Sequence, residues 1–526
     1  MNMHNSILRK TFVTLLAAAT LSTTALAEGI HHGRMSTDRS DQLSLGKENL
    51  PETRQVSRLA EGATYTHIHR GYLSKKSFYT VDAGFYEDHQ IAETKKKELR
   101  KMGYEATIHP VNQKNHSMTD VNQKEIGYVV RIGQFESEDK AKQFQENLSQ
   151  KGIEGTSVTF SGYDGTTEST GPWDIHVLEI NPKTFQGKIG SSLANDQIEG
   201  KETVTSMVAR KQAIAGTNGG YFVVGQEDGT PGDPAGISVA DGKLLSESVG
   251  NRTSLILHDN HAEISETKTM LSVQTSSHQS HIIDGMNRTP GKIRSCGGTE
   301  DAPTNAPQHD VTCKDDSELI EYNSSYGKNT PKGKGFEIVL DDAGNVVSTR
   351  DSRGGAIDKG QTVLSATGED ADWLKEQAKS KQVWTLSNKV YKNGKEMDLL
   401  KGMDVVNGGP SLLHQGEIDI DAKKEGFDWS SDFYYHFALY RHPRTLVGVK
   451  ADGHILLVTV DGRNPNKSIG VNFRESAELL KDLGAVDGMN LDGGGSSTMV
   501  VDGKLVNHPS DATGERPIGD GIIISK

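Results

Sequence analysis

The chain has 526 residues, 58 basic against 71 acidic for a net charge of −13, and no lysine- or arginine-rich tract. The length exceeds one ordinary domain of roughly 150 residues, and the charge balance excludes the basic footprint with which proteins track a nucleic-acid backbone. Hydrophobic residues make up only 34%, but 57 glycines bring the apolar-plus-glycine share near the globular average of about 45%, which excludes a mainly disordered chain.

Residues 1–27 read as a secretory signal peptide. Arg9 and Lys10 precede an apolar run from Thr11 to Leu21, and Ala25-Leu26-Ala27 supplies the small residues of a cleavage site. The run is shorter than the ~20 apolar residues of a membrane span, and no later segment qualifies, so no transmembrane segment is expected. The mature chain is expected to start at Glu28 and to work outside the cytoplasm, in the periplasm or cell wall. Residues 28–54 are polar and read as a tether. Cys296 and Cys313 are expected to pair as a disulfide in that oxidising compartment. Two cysteines without an HExxH motif do not make a usual zinc site.

Between Ser77 and Phe160 the sequence repeats at an offset of 49. Tyr79, Val81, Gly84, Ala92, Leu99, Gly103 and Glu105 recur as Tyr128, Val130, Gly133, Ala141, Leu148, Gly152 and Glu154. Each half reads as strand, helix, strand, with Gly103 and Gly152 as helix stops, which together make a split βαβ, ferredoxin-like unit. This segment, taken as 75–161, resembles the sporulation-related repeat (SPOR) family. The resemblance implies binding to peptidoglycan glycan strands, above all those stripped of stem peptides; a spacer or interaction module of the same fold is the alternative. The duplication also suggests a self-contained unit that a short Gly/Ser bridge could replace.

From Trp173 onward, apolar runs at Ile175–Ile180, Gln212–Gly216, Ser254–Leu257, Phe336–Leu340, Val405–Val406, His454–Val460 and Gly521–Ile524 read as strands, with helices at Asp370–Ser380 and Phe473–Leu483 between them. The expected fold class is α+β: a large mixed-sheet domain, covering residues 172–526 with a first strand within 55–74, into which the ferredoxin-like segment is inserted. Ile455–Val460 is a continuous apolar run ending at Asp461-Gly462-Arg463. A helix follows, then a second strand ending at Asn490-Leu491-Asp492-Gly493-Gly494-Gly495-Ser496. As a βαβ unit these strands are parallel and expected to be adjacent, so Asp461 and Asp492 emerge together at the carboxyl edge, where ligands favour binding. Glycines there let backbone approach a ligand. Asn218-Gly219-Gly220 and Asn407-Gly408-Gly409 repeat the pattern, and Arg252, Arg444 and Arg463 strengthen the case for an anion-binding pocket.

At these residues, and at Asn251-Arg252-Thr253 and Glu515-Arg516-Pro517, the chain resembles the phosphodiester glycosidase family. The upstream Gly62-Ala63-Thr64-Tyr65-Thr66-His67-Ile68 fits that family's first strand. The resemblance implies hydrolysis of a sugar-1-phosphodiester, of the N-acetylglucosamine-1-phosphodiester type, within an envelope phosphoglycan. It makes Asp492 and Asp461 the catalytic candidates. Asn218, Gly219, Arg252, Asn407, Gly408, Arg444, Arg463, Asn490, Gly493, Gly494 and Ser496 are the substrate-binding candidates, the asparagines toward sugar hydroxyls. No cofactor is required by the motifs, and a divalent cation is left open. Two other readings stand beside it: a non-catalytic envelope glycan-binding protein, and a metal-dependent phosphodiesterase that cuts phosphorus–oxygen.

Overall fold

The computed structural model describes residues 33–35, 42–112, 125–165, 169–299, 302–304 and 306–526. The signal peptide lies outside the described residues, as does part of the 28–54 segment. From residue 42 that segment is not a free tether. Leu43, Leu45 and Leu50 are buried, and the buried Arg70 donates to Leu45 O at 2.8 Å and Lys47 O at 3.3 Å. A few leucines in a polar run were enough to dock it.

Strand is 41% of the chain and helix 16%, so the architecture is mixed but dominated by antiparallel sheets. The strands that position the site are Gly33–Met35 (β1), Glu52–Ala60 (β2), Ala63–Arg70 (β3), Tyr79–Tyr86 (β4), Ala106–Asn112 (β5), Glu125–Phe135 (β6), Ser157–Phe160 (β7), Trp173–Ile180 (β8), Lys188–Leu193 (β9), Ala215–Asn218 (β10), Asp404–Asn407 (β11), Arg444–Lys450 (β12), Ile455–Val460 (β13), Ala485–Asn490 (β14), Met499–Val501 (β15) and Asp520–Ser525 (β16). The helices are His89–Lys101 (α1), Glu138–Gln150 (α2) and Phe473–Asp482 (α3).

The largest sheet has nine strands in the order β1-β2-β3-β8-β13-β12-β14, continued by Ser411–His414 and Glu417–Ile418. β13 and β14 are parallel, as the βαβ pattern requires, but not adjacent: β12 lies between them, antiparallel to both. Their carboxyl ends are therefore about two strand spacings, or ~9.6 Å, apart. The expectation of adjacency failed because β12 precedes β13 in sequence and inserts from outside the βαβ unit.

Period-two alternation gives this sheet two apolar faces. Ile175, Val177, Val458 and Val460 pack on one face beneath α3, through Phe473, Ala477 and Leu480. α3 starts with a capping box, Asn472 and Glu475 each bonding the other's backbone amide, a device of about 1 kcal/mol. It stops at Gly484, whose φ of 91° a side chain would resist. Leu178, Ile180, Ile455 and Leu457 point the other way, into a core shared with a five-stranded sheet containing β15, β10, β16 and β9.

β4 to β7 fall in sequence between β3 and β8, which are paired neighbours. They form a separate four-stranded antiparallel sheet, order β5-β6-β4-β7. The repeat is visible in it: Ala92 and Ala141, and Leu99 and Leu148, are buried under the sheet, while Gly103 and Gly152 end α1 and α2 with φ of 88° and 78°. Both helices cover one face. On the other face Val111, Ile126, Val129 and Phe160 join the main core, and Phe85 stacks on Tyr435 at 5.4 Å. Arg131 pairs with Asp82 and Asp164 and donates to Tyr435 Oη at 3.1 Å. The unit is thus no detachable cassette. Removing it would open the apolar surface around Tyr435, Ala438 and Leu439, so the bridged deletion suggested by the repeat would expose core. Among the described residues no helix is long and apolar enough to cross a membrane.

Candidate functional site

β14 carries the chain to Asn490, Leu491 keeps a sheet-like bond to Thr445 O at 2.9 Å, and Asp492 then leaves the sheet. Asp492 is held by main-chain bonds: its N–H donates to Gly219 O at 3.2 Å and its carbonyl accepts from Asn218 Nδ2 at 2.7 Å. Asn407 brackets Tyr221, accepting from its N–H at 3.0 Å and donating to its carbonyl at 3.2 Å. Asn490 donates to Tyr221 Oη at 2.7 Å and to Gly409 O at 3.1 Å. The three strand-end asparagines are buried and knit the glycine loops into one frame.

Over this frame lies a cavity of about 350 Å³. Of the residues read from the sequence, Asp492, Gly493, Gly494, Arg444 and Arg463 line it; Asn218, Gly219, Asn407, Gly408, Asn490 and Ser496 stand behind the lining. Arg252 is also withdrawn, its guanidinium over Phe427 at 4.8 Å and donating to Glu425 O.

Arg444 is 2% exposed and stacks on Phe473 at 4.5 Å and Phe437 at 5.1 Å. Burial lowers its pKa to about 10, still charged at neutral pH. Arg463, at φ 58° in the turn after β13, reaches His442 Nδ1 at 3.3 Å and Ser510 Oγ at 3.4 Å. Among the described residues neither arginine is ion-paired with a carboxylate. The other two cavity arginines are neutralised, Arg516 by Asp511 at 2.7 Å and Arg294 by Asp310. Arg444 is thus an unpaired guanidinium taken out of water, at a cost of several kcal/mol that an anion can recover, whereas Arg463 is exposed at the cavity's edge. The Asp492 carboxyl has its pKa pushed up to about 6 by burial, partly offset by the Gly493 amide that donates to it at 2.8 Å.

Asp461 does not share this cavity. Its carboxylate accepts from Asn507 Nδ2 at 3.0 Å and His508 N–H at 2.9 Å, and it lines a second opening with His508. Arg463 borders both. Sequence reasoning left Arg294, Ser295, His309, Asp310, Phe437 and His442 out of the site. His309 and Asp310 lie in the loop that the Cys296–Cys313 disulfide closes, Arg294 and Ser295 immediately precede it, and that bridge was the available signal. Arg516 was visible within Glu515-Arg516-Pro517 but carried no assigned role.

Fold and cavity together define a mixed α+β protein with an arginine-lined cleft at its strand ends. Residues 334–525 match the family model for phosphodiester glycosidase, and residues 75–159 match that for the SPOR domain. The chain carries a phosphodiester glycosidase domain and a SPOR domain. It is 39% identical over 85 residues to the SPbeta prophage-derived protein YomE of Bacillus subtilis, covering 16% of this chain and 13% of that one. It is 34% identical over 105 residues to the N-acetylglucosamine-1-phosphodiester alpha-N-acetylglucosaminidase of Mus musculus, covering 20% and 19%. The matches thus span less than a fifth of either curated relative. A crystal structure of a Burkholderia pseudomallei protein described as exported superposes with a TM-score of 0.83 at 29% identity, covering 95% of this chain and all of that one.

Proposed function

We propose that this chain is a cell-envelope hydrolase that cleaves the anomeric carbon–oxygen bond of sugar-1-phosphodiesters. The observation that carries the reading is one cavity holding Asp492 beside two guanidiniums without carboxylate partners, Arg444 and Arg463, with the aromatic side chains of Tyr221 and Phe437 in its wall. Rupture of the C1–O bond leaves a phosphate monoester bearing an additional negative charge, and prepositioned arginines stabilise that charge as it develops. Asp492, ionised above about 6, attacks C1 or takes a proton from the water that does. The mouse relative's name supports an N-acetylglucosamine-1-phosphodiester as the first compound to test. Turnover in oxygen-18 water is expected to place the label on the sugar; label on the phosphate would overturn the reading in favour of a phosphodiesterase.

The position of β4 to β7 between paired neighbours β3 and β8 supports reading the SPOR segment as a ferredoxin-like insertion in a catalytic domain formed by 55–74 and 172–526. The SPOR match supports retention at peptidoglycan, and the signal-like start supports secretion. Because Thr80, Asp82, Val129 and Arg131 on the helix-free face are buried, glycan strands would meet the helices, the sheet rim or β5, where Thr107 and His109 are exposed. The intact chain is expected to sediment more strongly with peptide-stripped peptidoglycan than with peptide-bearing material. Equal sedimentation would remove the retention claim and leave the hydrolase reading standing.

A further inference from the structure

The nine-stranded sheet carries a second set of chemistry-bearing side chains that the glycosidase reading leaves unused. His67 on β3 and His176 on β8 are cross-strand partners, with rings stacked at 4.7 Å and 3°. Asp174 precedes His176 by two residues and Tyr65 precedes His67 by two, so period two places all four on one face. Asp461 arrives on the same face two residues beyond Thr459, the β13 partner of His176. This is the face whose inner half is Leu178, Ile180, Ile455 and Leu457. At the strand ends it changes from aliphatic to imidazole and carboxylate. Ligand atoms of His67, Asp174 and His176 lie within 4.8 Å of one another, as do those of Asp174, Asp461 and His508.

Hydrogen bonding does not account for the set. His176 is 1% exposed, yet its Nε2 has no hydrogen-bond partner. It points at two carboxylate oxygens beyond hydrogen-bond reach, Asp174 Oδ1 at 3.9 Å and Asp461 Oδ2 at 4.0 Å. Leaving such an atom buried and unmet costs about 1–3 kcal/mol. Two donors to one ion at metal–ligand bonds of about 2.1 Å stand roughly 3 to 4 Å apart, the spacing seen here. The other ring nitrogen, Nδ1, is 2.8 Å from Tyr65 Oη, the outer hydrogen bond that fixes a metal-binding imidazole's orientation and tautomer. His67 Nε2 touches Asp174 Oδ1, and the His67 side chain is 33% exposed, which leaves an approach from solvent.

We propose that His67, Asp174 and His176 bind one divalent first-row transition-metal ion as a two-histidine, one-carboxylate set. Asp461, held in place by Asn507 and His508, supplies the carboxylate on the adjoining side. Two imidazoles disfavour calcium or magnesium, which take oxygen donors, and favour zinc, iron or their neighbours. Binding exchanges the His67–Asp174 hydrogen bond for two coordination bonds, with the neutral His67 ring keeping its single proton on Nδ1. The ion ties β3 to β8 where the SPOR segment leaves and re-enters the sheet, beside Asp461 at the end of β13. It also fixes Asp461 two residues before Arg463, which borders both cavities.

The test is titration of the chelator-stripped full chain with Co²⁺, read by visible ligand-field absorption, with Zn²⁺ and thermal melting as a second measurement. Saturation at one equivalent and a Zn²⁺-dependent rise in Tm are expected. His67→Gln, at the half-buried edge, is expected to weaken Co²⁺ by about 100-fold or more, and Tyr65→Phe, which touches no ion, by about 10-fold. Both variants should melt cooperatively without metal, which separates lost binding from lost fold. Absence of saturable binding by the wild-type chain, or equal binding by the His67→Gln variant, would overturn the proposal. Neither result bears on Asp492 and its cavity.

Discussion

Asp492→Asn is expected to lower kcat on a sugar-1-phosphodiester about a thousandfold and, at neutral pH, to raise the melting temperature. The rate loss follows from removing a carboxylate poised beside Arg444 and Arg463, since a positioned base or nucleophile contributes roughly 10²–10⁴ in rate. The gain in stability follows from linkage. Burial raises the native pKa from 3.8 to about 6, so the folded chain holds this proton more tightly than the unfolded chain. Stability from this group is full below the unfolded value and is lost as pH rises through about 6. An ionised Asp492 therefore costs about 1–3 kcal/mol near neutrality, and asparagine removes that cost. The melting gain should vanish near pH 4, and the wild-type kcat/KM should rise as pH passes through about 6. A carboxylate with only a packing role would give a variant that melts lower at every pH and still turns over. That outcome, or a flat wild-type profile through this range, sinks the assignment.

What the sequence made legible was whatever is written along the chain. Asp492 was visible because a buried strand, a run of glycines and a carboxylate are consecutive, and the SPOR segment because its two halves repeat in register. Helix α3 was visible from Phe473, Ala477 and Leu480 at helical spacing, stopped by Gly484. The opposite wall of the cavity was not, because Ser295, His309, Asp310 and Phe437 lie on turns and short helices without a period. Strand His261–Thr275 was missed for a related reason: it pairs with Trp384–Lys392, and its five apolar residues are scattered among polar ones, so no apolar run announces it. The order of the central strands was hidden too, since nothing in β12 itself says that it will separate β13 from β14.

Cross-strand geometry hid the imidazole cluster most completely. His67 and His176 are 109 positions apart, a separation that contains the whole SPOR segment, and are nevertheless direct partners. Linear metal motifs work when ligands share a helix or a turn. Here the ligand spacing is set by β3 lying beside β8 and is readable only once that pairing is known. Asp461 shows the converse. Its motif was legible, but a neighbouring strand carries it away from Asp492 and toward His176, so sequence proximity of the two aspartate motifs overstated their cooperation.

Arg444→Ala is expected to reduce kcat/KM about 10²–10³-fold, the range for losing a preorganised group that meets transition-state charge, while changing stability by no more than about 2 kcal/mol. Arg441, three positions earlier, provides the internal contrast. Both guanidiniums are almost wholly buried, but Arg441 is paired with Glu475 through its Nε at 3.0 and 2.9 Å and donates to Gly162 O at 2.6 Å. Truncating Arg441 strands a buried carboxylate and should cost about 3–5 kcal/mol of folding. Truncating Arg444 strands none. It removes two carbonyl bonds, to Val471 and Phe437, and stacking on two rings, but it also relieves the desolvation of an unpaired charge. Inorganic phosphate should raise the melting temperature of the wild-type chain and do so far less for the Arg444→Ala variant, because a ligand stabilises only the state that binds it. Lysine at this position should recover little, since an ammonium neither stacks flat on Phe473 nor presents two parallel donors to a phosphate. If the alanine variant instead keeps its activity and its response to phosphate, the anion seat lies with Arg463 or elsewhere in the cavity; if it unfolds as readily as an Arg441 variant, the guanidinium is a structural group.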